Sequence, residues 1–195
     1  MTNGYLLLHG WQNRRPREHW HHWLHDELTE LGHTVAYPQL PDPDEPVLDE
    51  WLKVLRRELD RLTETTPSGG ERVVVAHSLS TLMWLHAVAR NEELDVDRVL
   101  LVAPVSSTVT GRHPAIVSFT APELRPEQVR GTRLAASDSD VWCPEGALQA
   151  FGDPLELSAD IIPGAGHISL DDGYGPWPSV LAWCLDPSTR LVANR

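Results

Sequence analysis

A chain of 195 residues, 41% hydrophobic and 23% charged, is long enough for one well-buried core and gives no reason to expect two. A net charge of −12 argues against a nucleic-acid partner, which needs a basic face, and reads as an aid to solubility. No apolar run approaches the roughly 20 residues of a membrane-spanning helix, and the opening MTNGYLLLHGWQ lacks the basic start and cleavage site of a signal peptide. The expectation is one domain over 1–195, cytoplasmic, without membrane contact.

In chain order, GYLLLHG (4–10) predicts a buried strand ending at a glycine. PREHWHHWLHDELTELG (16–32) predicts a helix closed by Gly32, with Trp20, Trp23, Leu24, Leu28 and Leu31 at helical spacing. HTVAYP (33–38) is a second strand, and a loop rich in proline and aspartate leads to a helix over roughly 47–64. RVVVAH (72–77) and LSTLMWLHAVAR (79–90) are the third strand and its helix; RVLLVAP (98–104) is the fourth strand. The stretch 105–130 has only scattered apolar residues and leaves open whether it forms a partial cap. TRLAAS (132–137) is the fifth strand, PEGALQAFG (144–152) a short helix beginning at a proline, LELSADIIP (155–163) the sixth strand and WPSVLAWCL (177–185) the last helix. The tail after Asp186 is expected to be loosely held.

Strands alternating with helices predict a parallel sheet covered on both faces. In such sheets, sites collect at the carboxyl ends of the strands. The segment VVVAHSLSTLMW (73–84) falls at one of these ends and holds Ser78 between strand and helix. It approximates the Gly-x-Ser-x-Gly turn that exposes a nucleophilic serine, but Ala76 and Ser80 replace both glycines. Taken alone, Ser78 reads equally well as a helix N-cap.

A serine hydroxyl needs a base, and the base works best when a carboxylate fixes its tautomer. Ser78, then Asp138 or Asp140, then His167 each follow a strand, in the order Ser–Asp–His used on the α/β-hydrolase sheet. His167 sits in GAGHIS, where Gly164 and Gly166 permit a tight turn. An oxyanion hole would draw on the backbone N–H of Leu79 and of Trp11 in the loop after strand one.

The blocks LLLHGWQNRRPREHWHHWL, YPQLPDPDEPVLDEWL, VVVAHSLS, LLVAP, AASDSDVWCP and GAGHISLDDGYGPWP follow one another as they do in the RBBP9/YdeN family of small serine hydrolases, which the chain resembles over residues 4–185. The resemblance implies a compact α/β-hydrolase: a three-layer sandwich of about six parallel strands in order 2-1-3-4-5-6, without a large lid domain. It also implies a catalytic triad of Ser78, His167 and, at the acid position of SDSDVWC, Asp140. The chain departs from the family pattern at Val141, where proline is usual, and at Ser80.

Other conspicuous residues have plainer readings. His19, His21, His22 and His25 cluster on the first helix, with His21 and His25 at a metal-pair spacing; they read as solvated surface histidines, and no metal is expected. His9 orients the oxyanion loop or touches substrate, and His77 reads as structural support. Trp20, Trp23, Trp51, Trp84 and Trp183 fall at core positions, whereas Trp11, Trp142 and Trp177 lie in loops near the site. His9, Trp142 and Trp177 are therefore candidate pocket residues. Cys143 and Cys184 read as free thiols, and Cys143 lacks a base. Without a dinucleotide fingerprint or P-loop, no cofactor is expected. The leading expectation is a serine hydrolase cleaving small carboxylic esters, with amides second, through an acyl-enzyme. The alternative is a protein-binding module on the same fold with a slow or idle site, although no sequence feature indicates a protein partner.

Overall fold

Residues 2–90 and 94–194 are described by a computed structural model; Met1 and Arg195, the ends of the expected domain, lie outside that range. Six runs of β-branched and aliphatic residues form one parallel sheet: β1 (Gly4–Leu8), β2 (Thr34–Ala36), β3 (Arg72–His77), β4 (Arg98–Val102), β5 (Thr132–Ser137) and β6 (Ser158–Ile162). Their order is β2-β1-β3-β4-β5-β6, with Leu8 beside Ala76 and His77 beside Val102 at the carboxyl edge. This is the α/β-hydrolase arrangement, and no large lid covers it among the described residues.

Side chains alternate across a strand with a period of two, so one strand serves two cores. Leu6, Leu8, Val74 and Ala76 pack against α2 (Leu48–Thr65) and α3 (Leu79–Ala89). Tyr5, Leu7, Val73 and Val75 face α1 (Trp20–Glu30) and, near the C-terminus, a further helix, Pro178–Leu185. His77 continues the Val73–Val75 row and so points at α1. No helix among the described residues is long and apolar enough to cross a membrane.

Two expected helices change, and the stretch left open takes shape. The first helix starts at Trp20 rather than at residue 16, because His19 caps it: the ring Nδ1 accepts from the His21 N–H. A single wide turn at Leu148–Gly152 replaces the short helix expected over 144–152. The stretch 105–130 forms a four-residue helix, α4 (Ser107–Thr110), and two short 3₁₀ turns; Ile116 and Phe119 are buried there, with Phe119 edge-on to Trp51. The helix at Pro178–Leu185 is therefore α5.

The tail is not loose. Asp160 on β6, 3% exposed, holds Arg133 at 2.6 Å and accepts the Leu191 N–H at 3.1 Å. Val192 O accepts Trp177 Nε1–H at 2.6 Å and Ser179 Oγ–H at 2.9 Å, which leaves Leu191 buried. Breaking a buried ion pair by removing one partner strands the other charge, at a cost of about 3–5 kcal/mol. Asp160→Ala should therefore lower the urea midpoint by a comparable stability loss, whereas truncating exposed Arg125 should leave it within about 0.5 kcal/mol.

Candidate active site

Ser78 ends β3 and opens α3 with φ 58° and ψ −124°. A non-glycine residue held there costs on the order of 1–3 kcal/mol and persists only where its surroundings over-determine it. Two contacts do so. The Ser80 hydroxyl, fully buried, accepts from the His77 N–H at 3.0 Å and lies 2.8 Å from Leu8 O and 2.9 Å from His77 O, so it ties the turn to β1. Gly10 presses against the turn from the other side: a Cβ there would lie 2.6 Å from Ser78 Cβ and 2.9 Å from its Oγ. The serine that replaces the usual glycine thus contributes a crosslink, and the glycine that close approach demands lies on the neighbouring loop.

The Ser78 side chain makes no cap bond to α3. Its Oγ lies 2.7 Å from His167 Nε2. On the far side of the ring, His167 Nδ1 lies 2.8 Å from Asp140 Oδ2 and 3.0 Å from Oδ1. Asp140, 5% exposed, also accepts the Trp142 N–H at 2.9 Å. Asp138 faces elsewhere: its Oδ1 accepts the Gly164 N–H at 2.8 Å.

Adjacent strands β5 and β6 bring the loops that carry Asp140 and His167 together, and their hydrogen bonds are regular. Asp138 Oδ1, Ser137 Oγ and Ser139 Oγ accept, in turn, the N–H groups of Gly164, Ala165 and Gly166. Asp172 closes the base loop from beyond, accepting from the N–H groups of His167 (3.0 Å) and Ser169 (3.1 Å) and from the Ser169 hydroxyl. Gly166 has φ +58°, and a Cβ there would lie 2.0 Å from Asp172 Oδ1. His77 Nε2 lies 2.9 Å from His167 O and, as N–H, donates to it. The sequence marks Ser80 and Gly10 but not their contacts with the Ser78 turn, and it gives no role to Asp172, Ser137 or Ser139; short residues beside tight turns are the available signal.

A cavity of 490 Å³ opens onto Ser78 and His167. Trp11, Val105, Ile116, Trp142 and Leu170 supply apolar wall, and Arg14 and Asp171 stand on its border. Trp11 and Trp142 meet edge to face at 5.9 Å; His113, part of no motif, packs on both. The Trp11 and Leu79 amides are engaged by no protein acceptor among the described residues, Leu79 being the first residue of α3.

Two pocket expectations fail. Trp177 is fully buried against Trp20 and Tyr174, because its indole N–H is drawn to the tail at Val192 O. His9 does not line the cavity: its Nε2 accepts the Leu40 N–H at 2.8 Å and its Nδ1 pairs with Gly10 O at 2.9 Å, which orients the Gly10–Trp11 loop. His19 and His21 are also not solvated, at 2% and 0% exposure, because the helix turns them onto Trp20 and His77. His25 does lie at the surface, beside Asp26. Burial pushes the Cys143 thiol up to about 12, with Glu145 and Asp140 adding to the effect, which suppresses the thiolate.

A parallel 2-1-3-4-5-6 sheet with a strained strand-to-helix serine at its carboxyl edge belongs to the class of α/β hydrolases. Within that class the chain is a member of the serine hydrolase family, whose family model matches residues 5–185. It is similar to the ydeN gene product of B. subtilis, with TM-score 0.78 and 21% identity over 94% of this chain and 97% of that one. A YdeN-like hydrolase of Pectobacterium atrosepticum gives TM-score 0.68 and 23% identity, covering 93% and 88%. Est1E of Butyrivibrio proteoclasticus gives 0.64 and 15%, covering 95% and 88%. At these identities the likeness concerns the fold. A search of curated proteins returns no match.

Burial pushes His9 and His19 down to about 4, helped by Arg15 for the first and by neighbouring histidines for the second. His21 and His77 are driven well below the ordinary value by burial and then by the other histidines. The folded chain thus holds four neutral imidazoles that protonate in the unfolded chain once the pH drops below about 6.5. Between there and about pH 4 the unfolded state binds more protons, so stability falls with falling pH, by up to about 1.4 kcal/mol per unit for each histidine. The urea midpoint should accordingly drop steeply from about pH 7 to about pH 5; a flat midpoint over that range would contradict the buried neutral set.

Proposed function

We propose that this protein is a serine hydrolase that cleaves small carboxylic esters, and amides more slowly, through an acyl-enzyme. The observation that supports this reading is the unbroken line from Asp140 through His167 to Ser78 Oγ, with its 2.8 and 2.7 Å links, ending at a strained serine that faces a cavity. Asp140 accepts the Nδ1–H of His167, which leaves the Nε2 lone pair toward the Ser78 hydroxyl.

As Ser78 Oγ bonds to the carbonyl carbon, its proton moves to His167 Nε2 and the C=O π pair moves onto oxygen. The Trp11 and Leu79 amides hold that oxyanion, each such donor typically contributing about 3–4 kcal/mol. Collapse expels the leaving oxygen, which takes the proton from Nε2, and the acyl group stays on Ser78. Water then repeats the sequence: His167 takes its proton as its oxygen bonds to the acyl carbon, and the Ser78–acyl bond breaks as Nε2 returns that proton to Ser78 Oγ, which frees the acid. Asp140 stabilises the imidazolium in both halves.

Esters come first because an alkoxide leaves with less help than an amine. The cavity walls of Val105, Ile116 and Trp142 suit a short apolar acyl or alcohol group.

Ser78→Ala should abolish turnover of short-chain p-nitrophenyl esters and labelling by a fluorophosphonate; labelling that persists in that variant would sink the assignment. Gly10→Ala should fold yet displace Ser78, and a misplacement of about 1 Å costs on the order of 100-fold in rate. Steady-state kinetics on the folded variant, checked by circular dichroism, reads this out, and an unchanged kcat/KM would refute the role given to Gly10.

A further inference from the structure

Three imidazoles converge beneath the cavity, and no step of the proposed chemistry uses their free nitrogens. His19, His21 and His77 each offer a ring nitrogen, and these atoms all lie within 4.8 Å of one another. The residues are 2%, 0% and 3% exposed. Among the described residues, His19 Nε2, both nitrogens of His21 and His77 Nδ1 have no hydrogen-bond partner. Buried polar atoms are nearly always paired, so four orphans in one cluster of histidines call for a missing partner.

The orientation of His77 narrows the choice. Its Nε2–H donates to His167 O, which leaves a lone pair on the orphaned Nδ1. An imidazole whose far N–H is fixed by a backbone carbonyl is the usual outer-shell arrangement of a metal-bound histidine. Three imidazoles without a carboxylate among them suit zinc-like ions rather than calcium or magnesium, which need oxygen ligands. Tetrahedral zinc, at roughly 2.0–2.1 Å from each nitrogen, wants its ligands roughly 3.3 Å apart. Binding therefore requires the rings to turn until their ligand atoms, now within 4.8 Å of one another, approach that spacing. His19 and His77 border the cavity, which provides the entry path and an open fourth position.

We propose that His19, His21 and His77 bind one zinc-class divalent cation, loaded through the active-site cavity. The His77 and His167 rings stand 5.2 Å apart, so the site adjoins the proposed triad without sharing a residue with it. The binding does not depend on that triad.

The test titrates Co²⁺ into tag-free protein and follows the visible d–d absorption of nitrogen-bound cobalt, with Zn²⁺ then displacing it. One equivalent should bind. His21→Phe keeps the stacking on Trp20 but removes a ligand, and should weaken binding by at least about tenfold. His19→Asn keeps an N-cap acceptor for α1 and should weaken it likewise. The double variant His22→Ala/His25→Ala, which strips the surface pair, should bind as the parent does.

Absence of cobalt binding, with water or nothing satisfying the cluster, would overturn the site, as would undiminished binding by folded His21→Phe. If metal-free protein does not label at all, the hydrolase reading fails, and the cobalt titration decides the metal site alone.

Discussion

The near-contact of Gly10 with Ser78 is the constraint on which the site depends. Strand β1 runs beside β3, so the loop after β1 must leave the sheet directly over the turn that carries the serine. Only a residue without a side chain leaves the Ser78 hydroxyl free to reach His167. The same approach holds the Trp11 amide near the serine. His9 serves that loop from beneath, bonding the Gly10 carbonyl and the Leu40 amide from a fully buried position. The backbone strain at Ser78 is thus balanced by two neighbouring segments and by the Ser80 hydroxyl.

At the other side of the site, strand adjacency performs the equivalent task. Because β5 and β6 are neighbours, the residues that follow them can be laced together by three side-chain acceptors on three successive amides. The imidazole is then held at both ring nitrogens, by its own amide through Asp172, and by its own carbonyl through His77. An imidazole held at this many points has little freedom to reorient.

His77 connects this machinery to the α1 side of the sheet. It follows Val73 and Val75 on one face of β3, so its ring points into the layer formed by His19, Trp20 and His21. A histidine-rich helix that periodicity alone assigns to the surface is turned inward there. Burial in that layer drives the His21 and His77 imidazoles toward the neutral form, and it leaves ring nitrogens of both without a partner among the described residues.

Sequence by itself determined the succession of the six strands and of α1, α2, α3 and α5, because burial on both faces writes continuous apolar runs and helix burial writes a 3.6-residue period. It also placed Ser78, Asp140 and His167 at strand ends, where parallel topology gathers reactive groups. Local pattern left Ser78 equally a cap, left Asp138 beside Asp140, placed Trp177 in the pocket and set His19 and His21 in solvent. These were decided by tertiary contacts between segments far apart in the chain: Ser78 with His167, Asp138 with Gly164, Trp177 with Val192, and His21 with His77. Which way a side chain turns at the end of an element depends on the partner waiting across the fold, and no window of neighbouring residues contains that partner.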